Sequence, residues 1–255
     1  MQYFYRLRKR DMADKKVAIM QSNYIPWKGY FDMINMVDEF ILYDEMQYTK
    51  NDWRNRNKIK TQQGVAWLTI PVRQESLQQK INETEVFDLR WASKHWRTLA
   101  QTYAKAPYFR EYKDALEAIY NTPDFTNLSR INHAFITTIC GFLGIDTKIS
   151  WSTDYELGSG KTERLVKLVQ DAGGNEYISG PAARDYLQPE LFDAAGLQVT
   201  WMDYSNYPEY QQRGAGPFEH AVTVLDLLFN TGPDARAYMK SFGTLPVGIS
   251  APDEH

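Results

Sequence analysis

"KVAIMQSNYIPWKGYFDMINMVDEFILYD", residues 16–44, decides the fold class. Its opening run, residues 16–21, and the run 39–45 that ends it are short and rich in β-branched or aromatic side chains, as buried strands are. Between them, residues 28–37 carry apolar side chains at helical spacing. Strand, helix, strand in this order opens a parallel sheet, because parallel neighbours need a crossover between them. The turn that joins the first strand to the helix is crowded with amide, phenol and indole groups. In open parallel sheets ligands lie beyond the carboxyl ends of the strands, where loops meet helix N-termini, and Gln21 to Gly29 occupy that place. Gln21, Asn23, Tyr24 and Tyr30 offer hydrogen bonds to a polar ligand, and Trp27 offers a ring to stack on. The competing reading is a loop that satisfies its own backbone, with Trp27 in the core.

Working outward, "RNKIK" and "VAWLTIPV" around Gln62-Gln63-Gly64 read as a hairpin, and residues 73–88 read as loop. Three helical patterns follow, over 92–105, 108–120 and 126–143, broken by Pro107 and Pro123; they form a helical insert at about 91–144. A strand at 147–151, a helix at 162–172, strands at "EYISG" and "LQVTWM", and a helix over "FEHAVTVLDLLFN" complete the pattern. The expected architecture is one Rossmann-like α/β domain over 16–243, preceded by an N-terminal extension (1–15) and followed by a flexible tail (244–255).

Composition narrows the function. The 255 residues carry a formal net charge of -3, so the global balance points to neither nucleic acid nor an anionic membrane as partner. No apolar run is long enough to span a bilayer, and the basic start lacks the apolar stretch of a secretory signal. With one cysteine, Cys140, no internal disulfide forms, which together fits a reducing cytoplasm. Aromatic residues make up 14%, enough for a pocket that binds rings or sugars and equally for a bulky core.

The second strand ends at Asp44, and the segment beyond it carries Lys50, Arg54, Arg56, Lys58 and Lys60 around Asn55. Arg54 and Arg56 suit a phosphate through the planar guanidinium fork; strand alternation also allows these cations to form a solvated hairpin face. Imidazole ordinarily titrates near neutrality, so His95 is a candidate general base, or a plain helix-face residue, while His133 lies in an apolar helix and reads as structural. No histidine or cysteine spacing suggests a metal site. "GSGKT", residues 158–162, lacks the first glycine of a phosphate-binding P-loop, which Tyr155 replaces; it reads as a loop with Thr162 capping the next helix.

These pieces together resemble the WbqC-like family of bacterial proteins. The marks are Gln21, Tyr24, Pro26, Gly29, Tyr30 and Phe31, with Ser22 where the family usually has proline. They continue through Tyr43-Asp44, Gln47-Tyr48, the run Trp53 to Asn57, "TIPV" at 69–72, "YISGPAARDYL" at 177–187 and "VLDLLFNTG" at 224–232. The resemblance implies a product of a surface-polysaccharide, O-antigen type of gene cluster. The expected activity is transfer of an acyl or aminoacyl group to the amine of a nucleotide-linked sugar, with an acyl or aminoacyl donor, including one borne on a carrier protein. A more remote similarity, to nucleotidyltransferases with a His-x-Gly-His motif, implies ATP use instead, although Trp27, Lys28 and Tyr30 fill the place of those histidines. There Ser179 and Arg184 match a late strand-end segment. A glycan- or nucleotide-binding module without catalysis is the third alternative. The resulting site has Asp44 and His95 as catalytic groups. Gln21, Asn23, Tyr24, Trp27, Tyr30, Arg54, Asn55, Arg56, Ser179, Arg184 and Asp185 are its binding groups. Tyr24, Trp27, Arg54 and Arg184 are expected to share one cleft at a rim of the sheet.

Overall fold

A computed structural model describes residues 14–243. Residues 1–13 of the expected extension and the expected tail lie outside the described residues. In chain order the elements are β1 (Lys16–Met20), α1 (Lys28–Asn35), β2 (Glu39–Leu42), β3 (Arg56–Thr61), β4 (Gly64–Thr69), β5 (Val72–Arg73) and β6 (Glu85–Val86). Then come α2 (Arg90–Tyr103), α3 (Phe109–Tyr120), α4 (Leu128–Leu143), β7 (Lys148–Trp151), α5 (Thr162–Asp171), β8 (Glu176–Ser179), α6 (Pro189–Ala194), β9 (Gln198–Trp201) and α7 (Val224–Thr231).

Five strands form a parallel sheet in the order β7-β2-β1-β8-β9. Numbered along the chain, the sheet strands run 3-2-1-4-5, the order of the dinucleotide-binding sheets, and the direction of winding reverses between β1 and β8. Period-2 alternation sends the strand side chains to two cores. Ala18, Phe40, Leu42 and Ile178 pack with α1, the helices α2 to α4, and α7. Val17, Ile19, Ile41 and Tyr177 pack with Leu165, Leu168 and Val169 of α5 and Phe192 of α6. Both faces of the sheet are covered, which is why its strands read as continuous apolar runs. The two antiparallel pairs, β3–β4 and β5–β6, stand apart from it.

Residues from 207 to 241 close over α1. Asp32 of α1, fully buried, accepts hydrogen bonds from the Tyr207 hydroxyl (2.6 Å) and the backbone N–H groups of Lys240 (3.0 Å) and Ser241 (2.9 Å). Lys28 donates to the Pro208 carbonyl (2.9 Å) and is roofed by the rings of Tyr207, Tyr210 and Phe218. Burial drives its ammonium pKa down to about 8.

Three local expectations are corrected and one element is added. Residues 73–88 are not all loop, because β5 and β6 pair within them. The last helix begins at Val224 rather than Phe218: the Gln212 side chain bonds both backbone groups of Glu219, holding the preceding segment irregular, and the Thr223 hydroxyl caps the helix at Leu225 N–H. Thr162 is the first residue of α5, not its cap, and its hydroxyl accepts from Gln188 N–H (3.3 Å). Helix α6 is an addition that the sequence pattern did not suggest; it starts at Pro189, where the missing N–H costs nothing.

Candidate functional site

The winding reversal leaves a cavity of about 560 Å³ at the carboxyl ends of β1 and β8. Gln21 follows β1, Ser179 and Gly180 end β8, Tyr43 follows β2, and Tyr186 and Tyr204 enclose the opening. Lys161 and Arg164, from the start of α5, bring two cations to it. Arg164 Nε donates to the Gly160 carbonyl (2.6 Å), which fixes the guanidinium. Burial raises the Tyr43 hydroxyl pKa, and the nearby Arg164 charge opposes that rise.

A second cavity, also about 560 Å³, opens beyond the ends of β2 and β7 beside the start of α4. Asp44, Asn82, Glu85, Asn127, Arg130 and Trp151 line it. Asp44 is buried and holds three elements together. It accepts from Ser22 N–H (2.7 Å), Ser22 Oγ (2.6 Å) and Ser129 Oγ (2.5 Å). Burial raises its carboxyl pKa against the pull of those donors. Trp151 stacks on His133 with ring centres 5.0 Å apart.

The β1–α1 turn lies beside these cavities and is tightly braced. Ile25, β-branched and buried, takes φ +37°, a conformation such residues rarely adopt. The Asn57 side chain holds it there by donating to the carbonyls of Tyr24 (3.0 Å) and Ile25 (2.9 Å). Gly29 has no room for a side chain, since a Cβ would lie 2.3 Å from the Trp27 ring. Arg54 reaches into the turn, bonding Asn23 Oδ1 and Gln21 Oε1 (3.3 Å), while the Tyr30 hydroxyl donates to the Gln21 carbonyl (3.0 Å).

The residues expected at one cleft therefore divide. Gln21 and Ser179 line the first cavity and Asp44 the second. Tyr30 and Arg54 brace Gln21, while Asn23, held by Arg54, lines with Trp27 a separate cavity of about 210 Å³. Trp27 packs edge-on against Tyr204 and Tyr207. Asn55 is buried, with its amide on the Ile70 carbonyl (2.9 Å), and Arg56 lies over the Trp67 ring on the hairpin. Arg184 is exposed over Trp201, and Asp185 is exposed; neither lines a cavity. Tyr24 is sealed in the core. Its hydroxyl lies 2.9 Å from His95 Nδ1 and 2.5 Å from the Tyr120 hydroxyl. His95 Nε2 faces the Thr69 carbonyl (3.2 Å), so Nε2 donates and Nδ1 accepts from Tyr24. Burial pushes the imidazole pKa down to about 4, leaving a neutral ring with both nitrogens engaged, and His95 lines neither cavity. The expectation of a cleft shared by Tyr24, Trp27, Arg54 and Arg184 is not met, because the first is core and the last is on an outer face.

Residues 21–238 match the WbqC-like protein family, a span that includes the second cavity, all of the first but Ile19 and Met20, and every strand of the sheet after β1. The chain belongs to that family. Uncharacterized protein Rv1507c of Mycobacterium tuberculosis is 53% identical to the chain over 227 residues, covering 89% of this chain and 98% of its own length. No solved structure matches the chain. Among the described residues, no three His, Cys, Asp or Glu side chains gather as metal ligands, and no helix is long and apolar enough to cross a membrane.

The sequence reading missed Lys161, Arg164, Tyr186 and Tyr204. The available signal was topological: once the strand order is known, the winding reversal marks β1 and β8, and whatever follows β8 or begins α5 faces the ligand position.

Proposed function

We propose that this protein is a transferase of bacterial surface-polysaccharide synthesis that places an acyl or aminoacyl group on the amine of a nucleotide-linked sugar. The observation that carries this reading is the cavity at the winding reversal, where Lys161 and Arg164 meet a wall of tyrosines. A guanidinium fork and an ammonium suit a diphosphate, and phenol rings suit a base. Its volume lies in the range of small-molecule sites. The sugar and the acyl chemistry come from the family resemblance.

In the reaction the amine nitrogen attacks the acyl carbon. A C–N bond forms, the bond from the acyl carbon to the donor's sulfur or oxygen breaks, and the nitrogen gives up a proton. Asp44 is the carboxylate we assign to receive it, since it is enclosed at the same rim and burial makes it more basic. The test is an incubation of the full chain with nucleotide-linked amino sugars and a panel of acyl thioesters and aminoacyl donors, read by mass spectrometry. An amide product, lost in Asp44→Asn and weakened in Arg164→Ala, is expected. Nucleotide binding with no amide from any donor would overturn the transfer.

A second reading, an ATP-using ligase or nucleotidyltransferase, is favoured by one observation, the 3-2-1-4-5 strand order. It predicts release of pyrophosphate or AMP from ATP and a divalent cation. Product amide formed without ATP would dismiss it.

A further inference from the structure

The second cavity has a chemistry of its own. We infer that it is a saccharide subsite that takes the amine-bearing sugar ring, distinct from the nucleotide position; this rests on the reading above and names the substrate half that the first cavity leaves out. Four observations carry it.

The two cavities adjoin. Tyr43 and Met46 line the first and Asp44 the second, so the short segment after β2 is a common wall between them. Neighbouring strand ends are about 5 Å apart, which puts both openings within the reach of one extended ligand.

The lining is rich in acceptors. Asp44 and Glu85 are carboxylates, and Asn82, Asn127 and Ser129 add polar groups beside them. Arg130 is the only cation among the lining residues. Two carboxylates against one arginine disfavour a phosphate, whereas a sugar ring bearing an amine supplies hydroxyl and ammonium donors on all sides.

Trp151 gives the cavity an apolar wall. With His133 stacked on it at an interplanar angle of 25°, the indole is held in one orientation. Its remaining surface suits the C–H face of a pyranose.

The floor is rigid. Asp44 is fixed by three donors from two other elements, so a ligand meets a preorganised acceptor rather than a mobile one.

The experiment measures binding of three probes to the full chain by saturation-transfer NMR and titration: UDP, a methyl glycoside of glucosamine, and methyl glucoside. The aminoglycoside is expected to bind more tightly than methyl glucoside. Trp151→Ala and Glu85→Gln should each weaken it at least tenfold and leave UDP unchanged; Arg164→Ala should do the reverse. Glu85→Gln keeps an oxygen for the Asn127 amide that Glu85 now accepts (3.1 Å), so this variant retains the local fold even if Trp151→Ala does not. Aminoglycoside binding that ignores both substitutions, equal binding of methyl glucoside, or no glycoside binding at all overturns the inference. Glycoside binding without UDP binding upholds it and instead defeats the nucleotide reading of the first cavity.

Discussion

At the scale of the residue, burial decides which ionisable groups can do chemistry. His95 has the side chain most suited to proton transfer, yet its neutral form is locked by Tyr24 and Thr69. Its folded pKa of about 4 lies below the ordinary value near 6.5, so between those two pH values the unfolded chain binds a proton that the folded chain refuses. Stability from this group is therefore full above pH 6.5 and declines as pH falls toward 4. From pH 7 to pH 5 the loss should be about 2 kcal/mol. Urea unfolding of the wild type and of His95→Gln at the two pH values checks this, and the variant should lack that part of the pH dependence. The sequence could not reveal the lock, because Tyr24 and Thr69 lie 71 and 26 positions away in the chain. The place of Asp44 beside a cavity was legible for the opposite reason: it follows a buried strand at the carboxyl edge of a parallel sheet, where clefts form.

At the scale of the element, the βαβ opening was legible because its apolar periods change cleanly from strand to helix and back. The start of the last helix was not. Phe218 to Val222 continue the apolar pattern, but tertiary partners take them: Phe218 meets Tyr210 edge-on, and the Glu219 backbone is held by Gln212. Its end was legible in Gly232, whose φ of +54° and close approach to Tyr108 leave no space for a side chain. Gly232→Ala would place a Cβ 2.3 Å from the Tyr108 ring. The cost should be about 2 kcal/mol or more, seen as a fall in denaturation midpoint with an unchanged m-value. The cations of α5 illustrate a different gap. Rejecting "GSGKT" as a P-loop holds, since ten residues, including a short turn at 152–154, separate β7 from α5. Lys161 still lines the first cavity, delivered by the crossover rather than by the motif.

At the scale of the whole molecule, a ligand that binds only the folded state raises its stability by mass action. UDP at a hundredfold excess over its dissociation constant should add about 2.7 kcal/mol. Double substitution of Lys161 and Arg164 by alanine should remove that gain while leaving the unliganded melting temperature within a degree or two, because their surroundings are partly solvated. The gain should also shrink as salt is raised, since screening weakens contacts between exposed cations and a diphosphate. A melting series with and without UDP, at low and high salt, reads all three effects.

The Asp32 carboxylate has a further consequence for biosynthesis. Its partners Tyr207 and Lys240 lie 175 and 208 positions later, so a ribosome working at 5 to 20 residues per second leaves that acid without its full set of donors for roughly ten to forty seconds. The first βαβ unit therefore waits, incompletely packed, for the last segment to emerge from the exit tunnel. Nascent chains stalled ahead of that point should be protease-sensitive and in need of a chaperone, and release should convert them to the resistant form in one step.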